Sequence, residues 1–268
     1  MIIDFHTHIF PDKIAKKTVE YLNKVGNITP HTDGTSAALL SEMEKAGVDI
    51  AVNQPVLTNP NSFESVNRFA IEVNEYFRDK DRRIISFGGI HPACEDIEGK
   101  MAWLKDNGFL GVKIHPDYQG TLINDDGYVR IVRSAIENDL IVLTHAGIDA
   151  AYPDNVHCPA PLAKELLSKA PHKKFVLAHF GGPDMQEEFL NTFGGSDVYF
   201  DTAYVLRFMT EESVKAWVER HGEDKILFAS DSPWSVIKGD VEILKSFSLG
   251  KNTEERLFSL NAKKLLGI

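Results

Sequence analysis

Ile2-Ile3-Asp4-Phe5-His6-Thr7-His8 opens the chain with an apolar run that ends on two imidazoles two residues apart. The device recurs as Gly89-Ile90-His91, Val112-Lys113-Ile114-His115, Leu143-Thr144-His145, Leu177-Ala178-His179, Tyr199-Phe200-Asp201 and Phe228-Ala229-Ser230-Asp231. Short runs of Val, Ile, Leu and Phe read as buried parallel strands, and in a closed barrel the C-terminal strand ends share one mouth. Six of the ten histidines lie at such ends, so the pattern gathers imidazoles and carboxylates around one point.

Working outward, eight strands are expected at 1-6, 50-56, 83-90, 109-115, 140-146, 174-180, 198-203 and 226-231. Helical stripes lie between them. The clearest covers 63-79, where Val66, Phe69, Ala70, Val73 and Phe77 recur at three and four residues with Ser62 placed as N-cap. Others run through Leu39, Met43 and Ala46; Met101 and Leu104; Val129, Val132 and Ile136; and Leu162 and Leu166. Met185 and Phe189, then Val214, Trp217 and Val218, then Val241 and Leu244 complete eight alternations. Parallel strands need long crossovers, so the pattern predicts an α/β fold, a (β/α)8 TIM barrel. An insertion at about 9-34 follows strand one and is expected over the mouth, and one extra helix, 253-266, ends the chain.

The 268 residues match the roughly 250 of one such barrel, so 1-268 reads as a single domain. A formal net charge of -10 disfavours nucleic acid, whose phosphates call for Lys and Arg. A small-molecule substrate is the expected partner, and a homo-oligomer is left open. Cys94 and Cys158 form neither a disulfide framework nor a CxxC pair. No stretch of about 18 apolar residues suggests a membrane span or a signal peptide, and a cytoplasmic location is expected.

Side chains alternate along a strand, which puts His6 with His8, and Lys113 with His115, on shared faces. Imidazoles at i and i+2 can chelate one ion, and His145 and Asp231, each closing a clean apolar run, complete a nitrogen and oxygen set suited to zinc or a related divalent metal.

Asp4-Phe5-His6-Thr7-His8, Gly111-Val112-Lys113-Ile114-His115-Pro116, Ala178-His179-Phe180-Gly181-Gly182 and Ala229-Ser230-Asp231-Ser232-Pro233, with Asn261-Ala262 near the end, resemble the amidohydrolase superfamily. The closest likeness is to its amidohydrolase-2 branch, which includes aminocarboxymuconate semialdehyde decarboxylase, lactonases and other hydrolases. The resemblance spans the whole chain. It implies one divalent ion, most simply Zn2+, on His6, His8 and His145 with Asp231 as fourth ligand. It also implies water activated towards a pKa of roughly 7, Asp231 relaying the proton, and His179 stabilising charge on the attacked oxygen. The implied activity is hydrolysis of a small ester, lactone or amide. Non-oxidative decarboxylation of a small carboxylate is the alternative reaction, and a non-catalytic metal-bound ligand-sensing barrel the alternative of another class.

Substrate contacts are expected from Lys113, His115, Tyr152, Arg207 and Trp234, with Tyr118 and Gln119 as further selectors. Lys113 can also be read as a carboxylated metal bridge or as a lysine salt-bridged inside the barrel. His91 either lines the pocket or holds a loop. Asp201 either orients a ligand histidine or caps a helix. His157-Cys158 follows a Tyr152-Pro153 turn and reads as loop, Gly88-Gly89 and Gly181-Gly182 as tight turns or close backbone approaches, and His31, His172 and His221 as surface.

Overall fold

A computed structural model describes residues 1–268. Its strands are β1 (Ile3–Thr7), β2 (Ile50–Asn53), β3 (Arg83–Ser86), β4 (Gly88–Gly89), β5 (Gly111–Ile114), β6 (Ile141–Thr144), β7 (Phe175–Leu177), β8 (Tyr199–Asp201) and β9 (Ile226–Leu227). All pair in parallel, in the orders β1-β2-β3 and β4-β5-β6-β7-β8-β9. β3 and β4 are one strand interrupted at Phe87, whose N–H still donates to Asn53 O at 3.0 Å, an ordinary ladder distance. The ring closes between first and last strands: Phe5 N donates to Phe228 O at 2.9 Å, Asp231 N to His6 O at 2.8 Å and His8 N to Ser232 O at 2.6 Å. Eight strands in a closed parallel ring make the structure a TIM barrel.

Around it lie α1 (Asp12–Gly26), α2 (Ser36–Ala46), α3 (Phe63–Phe77), α4 (Ile97–Asp106), α5 (Pro116–Gln119), α6 (Asp126–Glu137), α7 (Ala160–Lys169), α8 (Gln186–Phe193), α9 (Glu211–His221), α10 (Ile237–Ser246), α11 (Lys251–Glu255) and α12 (Asn261–Leu266). The strand pleat sorts the core into two bodies. Ile3, Phe5, Val52, Phe87, Leu143, Val176, Tyr199 and Leu227 form one apolar cluster. Alternate residues such as Val112, Ile114, Val142 and Phe200 pack with helix residues Leu104, Val132, Phe189 and Trp217 in the other. Each such fully buried side chain contributes about 1.5–3 kcal/mol. From α12, Ala262, Leu265 and Leu266 join the first cluster, and Asn261 Nδ2 donates to Glu223 O and Ile226 O at 2.7 and 2.8 Å. The last helix therefore anchors at the start of β9, opposite the end that carries Asp231.

Several sequence expectations need correction. The apolar runs overshoot the strands, because beyond Asn53, Ile114, Thr144 and Leu177 the backbone leaves the ladder to form the mouth. Ser62 caps nothing; a 3-10 turn over Pro60–Ser62 precedes α3, and Asn59 accepts from Asn61 N instead. The expected 253-266 helix is present as a continuous run from α11 to α12, with a π-helical stretch at Arg256–Leu260 between them. Ile136 is exposed, while His221 is buried, with Nδ1 3.1 Å from Phe193 O and Nε2 2.8 Å from Val198 O. The insertion contains α1 and is tied at its base by Phe10 N to Gly34 O at 2.9 Å; His31 N donates to Pro233 O at 2.7 Å, next to the Asp231 loop. No helix is long and apolar enough to cross a membrane.

Candidate metal centre

The β1–β2 register shifts between Asp4 and Thr7. Such a bulge re-aims side chains beside a site, and here it accompanies Phe5 packing edge-on against Phe87 while the next residue, His6, reaches Asp201. His6 Nδ1 lies 2.9 Å from Asp201 Oδ2, and His8 Nδ1 lies 2.9 Å from Gln54 O. Ionised carboxylate and carbonyl oxygens only accept, so in the neutral rings Nδ1 carries the hydrogen and Nε2 keeps its lone pair. Those two Nε2 atoms stand 3.5 and 3.1 Å from Asp231 Oδ1. A tetrahedral ion with ligands at about 2.0–2.1 Å spaces them by roughly 3.3–3.4 Å. The donor set of His6, His8 and Asp231 therefore fits a divalent metal in both chemistry and spacing.

Electrostatics agree. Burial first, then the neighbouring Lys113 ammonium, holds His6 well below the usual imidazole range. Burial pushes Asp231 up, but the imidazoles of His8, His6 and His179 outweigh it and keep the carboxyl below its ordinary value. The residue is also conformationally unusual, with φ at 71°. A non-glycine residue held there signals strain that the surroundings must sustain; Asp231 N bonded to His6 O and Asp231 O accepting from Trp234 N supply that restraint.

His179 stands beside this trio, its ring 5.1 Å from that of His6, and likewise adopts a positive φ of 61°. Asp201 Oδ1 accepts from His179 N at 2.8 Å, so one carboxylate positions both histidines. His179 Nδ1 meets Ala203 O at 3.0 Å, and its Nε2 meets His145 Nδ1 at 3.0 Å. The structure thus brings His6, His8, Asp231 and His179 together and places His145 one ring further out. Close backbone approach makes this layout possible: a Cβ on Gly147, at φ +80°, would fall 1.8 Å from Gly181 O.

Lys113 is 1% exposed with Nζ 3.1 Å from His6 Nε2. Burial lowers its pKa to about 8 against the pull of Asp201, Asp231 and Asp149. His115 stacks on His145 at 4.3 Å and 9°, and Tyr118 stands edge-on between His115 and Tyr152. Trp234 is half-buried, and its N–H donates to Asp231 O at 2.8 Å. Arg207 is spoken for: Nε and Nη2 donate to Tyr204 O and Trp234 O at 3.2 and 2.9 Å, and its guanidinium lies 4.2 Å over the Tyr204 ring. Gln119 is no selector, because its amide bonds Leu57 O, Ile90 O, His115 N and Tyr128 Oη. His91 holds a loop by accepting from Ala93 N at 3.0 Å.

Sequence reasoning missed Gln54, Asp117 and Asp149. A backbone carbonyl carries no residue signature, and the two aspartates sit just past strand ends, two residues after His115 and four after His145. His157, read as loop, hydrogen-bonds Asp117 Oδ1 through Nδ1 at 2.9 Å.

A closed parallel barrel with a histidine and carboxylate cluster at its C-terminal mouth offers a candidate metal centre of the kind a barrel enzyme uses. The amidohydrolase family model matches residues 3–268, and the chain belongs to that family. Among curated proteins none matches the sequence. Solved structures do. An uncharacterised TIM-barrel protein from Bordetella bronchiseptica has TM-score 0.79 at 15% identity, covering 99% of this chain and 98% of its own. A 5-carboxyvanillate decarboxylase from Novosphingobium aromaticivorans, a D314N mutant with bound manganese, has TM-score 0.70 at 15% identity over 100% and 97%. A protein from Acinetobacter baumannii named "probable 2-pyrone-4,6-dicarboxylic acid hydrolase" has TM-score 0.69 at 17% identity over 100% and 99%.

Proposed function

We propose that the protein is a metal-dependent hydrolase of a small ester, lactone or amide, with His6, His8 and Asp231 holding one divalent ion. The observation that carries this reading is the convergence of two lone-pair nitrogens and one carboxylate oxygen at 3.1 and 3.5 Å. Zinc is the expected metal for imidazole and carboxylate ligands. A divalent ion there would supply Lewis acidity and lower the pKa of water towards about 7. Asp231, held ionised, takes the proton from the attacking water and delivers it to the leaving group. His179, anchored through Nδ1 and hydrogen-bonded through Nε2 to His145, stabilises charge developing on the attacked oxygen with the proton that the pair shares. His145 positions His179 through the 3.0 Å contact. Lys113, His115 and Tyr152 face the substrate, and Trp234 shapes the wall behind Asp231.

Decarboxylation of a small carboxylate is the second reading, favoured by the fold shared with 5-carboxyvanillate decarboxylase. In that case the buried Lys113 ammonium receives the substrate carboxylate, the bond from carbon to that carboxylate breaks to release carbon dioxide, and Asp231 relays a proton taken from solvent to the carbon left behind. Turnover of activated esters and lactones, against release of carbon dioxide from hydroxybenzoate-type acids, separates the two. Ester or lactone turnover without carbon dioxide supports hydrolysis; carbon dioxide release with no ester or lactone turnover replaces it by the second reading.

A further inference from the structure

Asp149 lies on the loop that follows β6, and a tight turn fixes it there. Ala151 N donates to its Oδ1 at 2.8 Å and Tyr152 N to its backbone O at 2.9 Å, which leaves Oδ2 uncommitted. That oxygen faces His115 Nε2 at 3.6 Å, too far for a hydrogen bond, and the two side chains are 14% and 8% exposed. Only imidazole nitrogens come within 4.0 Å of it, and burial keeps those rings well below the usual imidazole range and uncharged. Burial raises Asp149 to about 6, and the carboxylates of Asp117 and Asp231 push the same way against the pull of Lys113. At neutral pH it is therefore a largely ionised, mostly buried carboxylate with no cation paired to it, a costly arrangement.

His115 has one hydrogen to place between two carboxylates. Its Nδ1 faces Asp117 Oδ2 at 3.8 Å, and both atoms are buried without a hydrogen-bond partner. Asp117 is sealed from solvent, with Oδ1 tied to His157 Nδ1 at 2.9 Å, so the hydrogen of His115 is needed on Nδ1. Nε2 is then a lone pair beside Asp149 Oδ2, and the two acceptors open on the pocket with no hydrogen between them. A hydroxyl brings one hydrogen and serves one of them, whereas a primary ammonium brings three and also the missing positive charge. The walls suit a cation as well. Tyr118 stands 4.8 Å from His115 at 83° and 5.4 Å from Tyr152 at 90°. Burial first and then the charge of Asp149 raise both phenols, which places the carboxylate beside the two rings. Aromatic faces next to a carboxylate attract alkylammonium groups.

We propose that Asp149 and His115, walled by Tyr118 and Tyr152, form an ammonium-binding subsite, and that the substrate carries a primary amine away from the bond that is cut. The inference rests on the hydrolase reading for the reaction and names the substrate class within it: amino-bearing esters, lactones or amides. Asp149 is a specificity residue in this account and takes no part in the chemistry.

The test is calorimetric titration of metal-loaded protein at neutral pH with 2-phenylethylammonium chloride and, in parallel, with 2-phenylethanol, which has the same ring and chain without the charge. Wild type should bind the ammonium about 10–100-fold more tightly than the alcohol, the range expected of hydrogen bonds to a charged group. Asp149→Asn should remove most of that preference and leave the affinity for the alcohol unchanged. Equal affinities in wild type would overturn the proposal, and that comparison needs no variant to fold. So would a preference that survives in Asp149→Asn. The hydrolase reading is tested separately, by turnover of an amino ester and its uncharged isostere: no turnover of either, with the binding preference intact, would remove that reading and leave the subsite standing.

Discussion

Asp201 Oδ2 lies 2.9 Å from His6 Nδ1, while its Oδ1 accepts from the backbone of His179, so one buried carboxylate sets both the proposed metal ligand His6 and the neighbouring His179. Removing the partner of a ligand histidine typically weakens metal binding by about 10–100-fold. Asp201→Asn should show that loss in a chelator-competition titration, with turnover falling in parallel. Unchanged affinity would remove Asp201 from the site.

Asp231 is expected to move protons as well as hold metal. In Asp231→Asn, turnover should drop far more than metal content. Because the folded carboxyl is held below its ordinary pKa, it is ionised and able to take a proton at neutral pH. Equal loss of metal and activity would leave Asp231 a ligand only.

His179→Asn should keep the metal and lower kcat by about 10²–10³-fold, the scale seen when one group stabilising developing charge is removed. Steady-state kinetics on metal-loaded protein decides it, and an undiminished kcat would exclude His179 from the chemistry.

The barrel and the residues of its mouth were legible in sequence because buried strands must be apolar and functional residues must sit where those strands end. Hence the His6, His8, His179 and Asp231 positions followed from runs such as Leu177-Ala178-His179. What was not legible was direction. His145 ends its strand as expected, yet its ring turns to His179 and to Asp149, partners that lie on other parts of the mouth. Arg207 looked free for a carboxylate, but its planar fork fits two backbone carbonyls that no sequence pattern displays. His221 looked like surface because its helix is polar, whereas two backbone carbonyls from residues 28 and 23 positions away bury it.

Gly147→Ala should be destabilising, because φ +80° disfavours a side chain and the added Cβ would collide with Gly181 O. A loss of at least about 2 kcal/mol is expected, within the range of strained and overpacked sites. Chemical denaturation measures it; a change under about 0.5 kcal/mol would mean the backbone can yield here.

Asp240 accepts a 2.5 Å hydrogen bond from Ser235 Oγ and so pins the loop that follows Asp231. Burial pushes its carboxyl up to about 6 despite that bond. A carboxyl raised on folding binds more protons in the native state, so its contribution is present below the unfolded pKa and lost as pH rises through about 6. The stability change between about pH 4 and 6 should be on the order of 2 kcal/mol, and Asp240→Asn should flatten it. An identical pH profile in the variant would contradict this.

The most direct test of the site is elemental analysis of purified, metal-reconstituted protein beside His6→Ala/His8→Ala. Loss of one divalent ion per chain in the double variant, together with loss of turnover, is the expected result. Wild-type metal content in the double variant would show that His6 and His8 do not hold the metal.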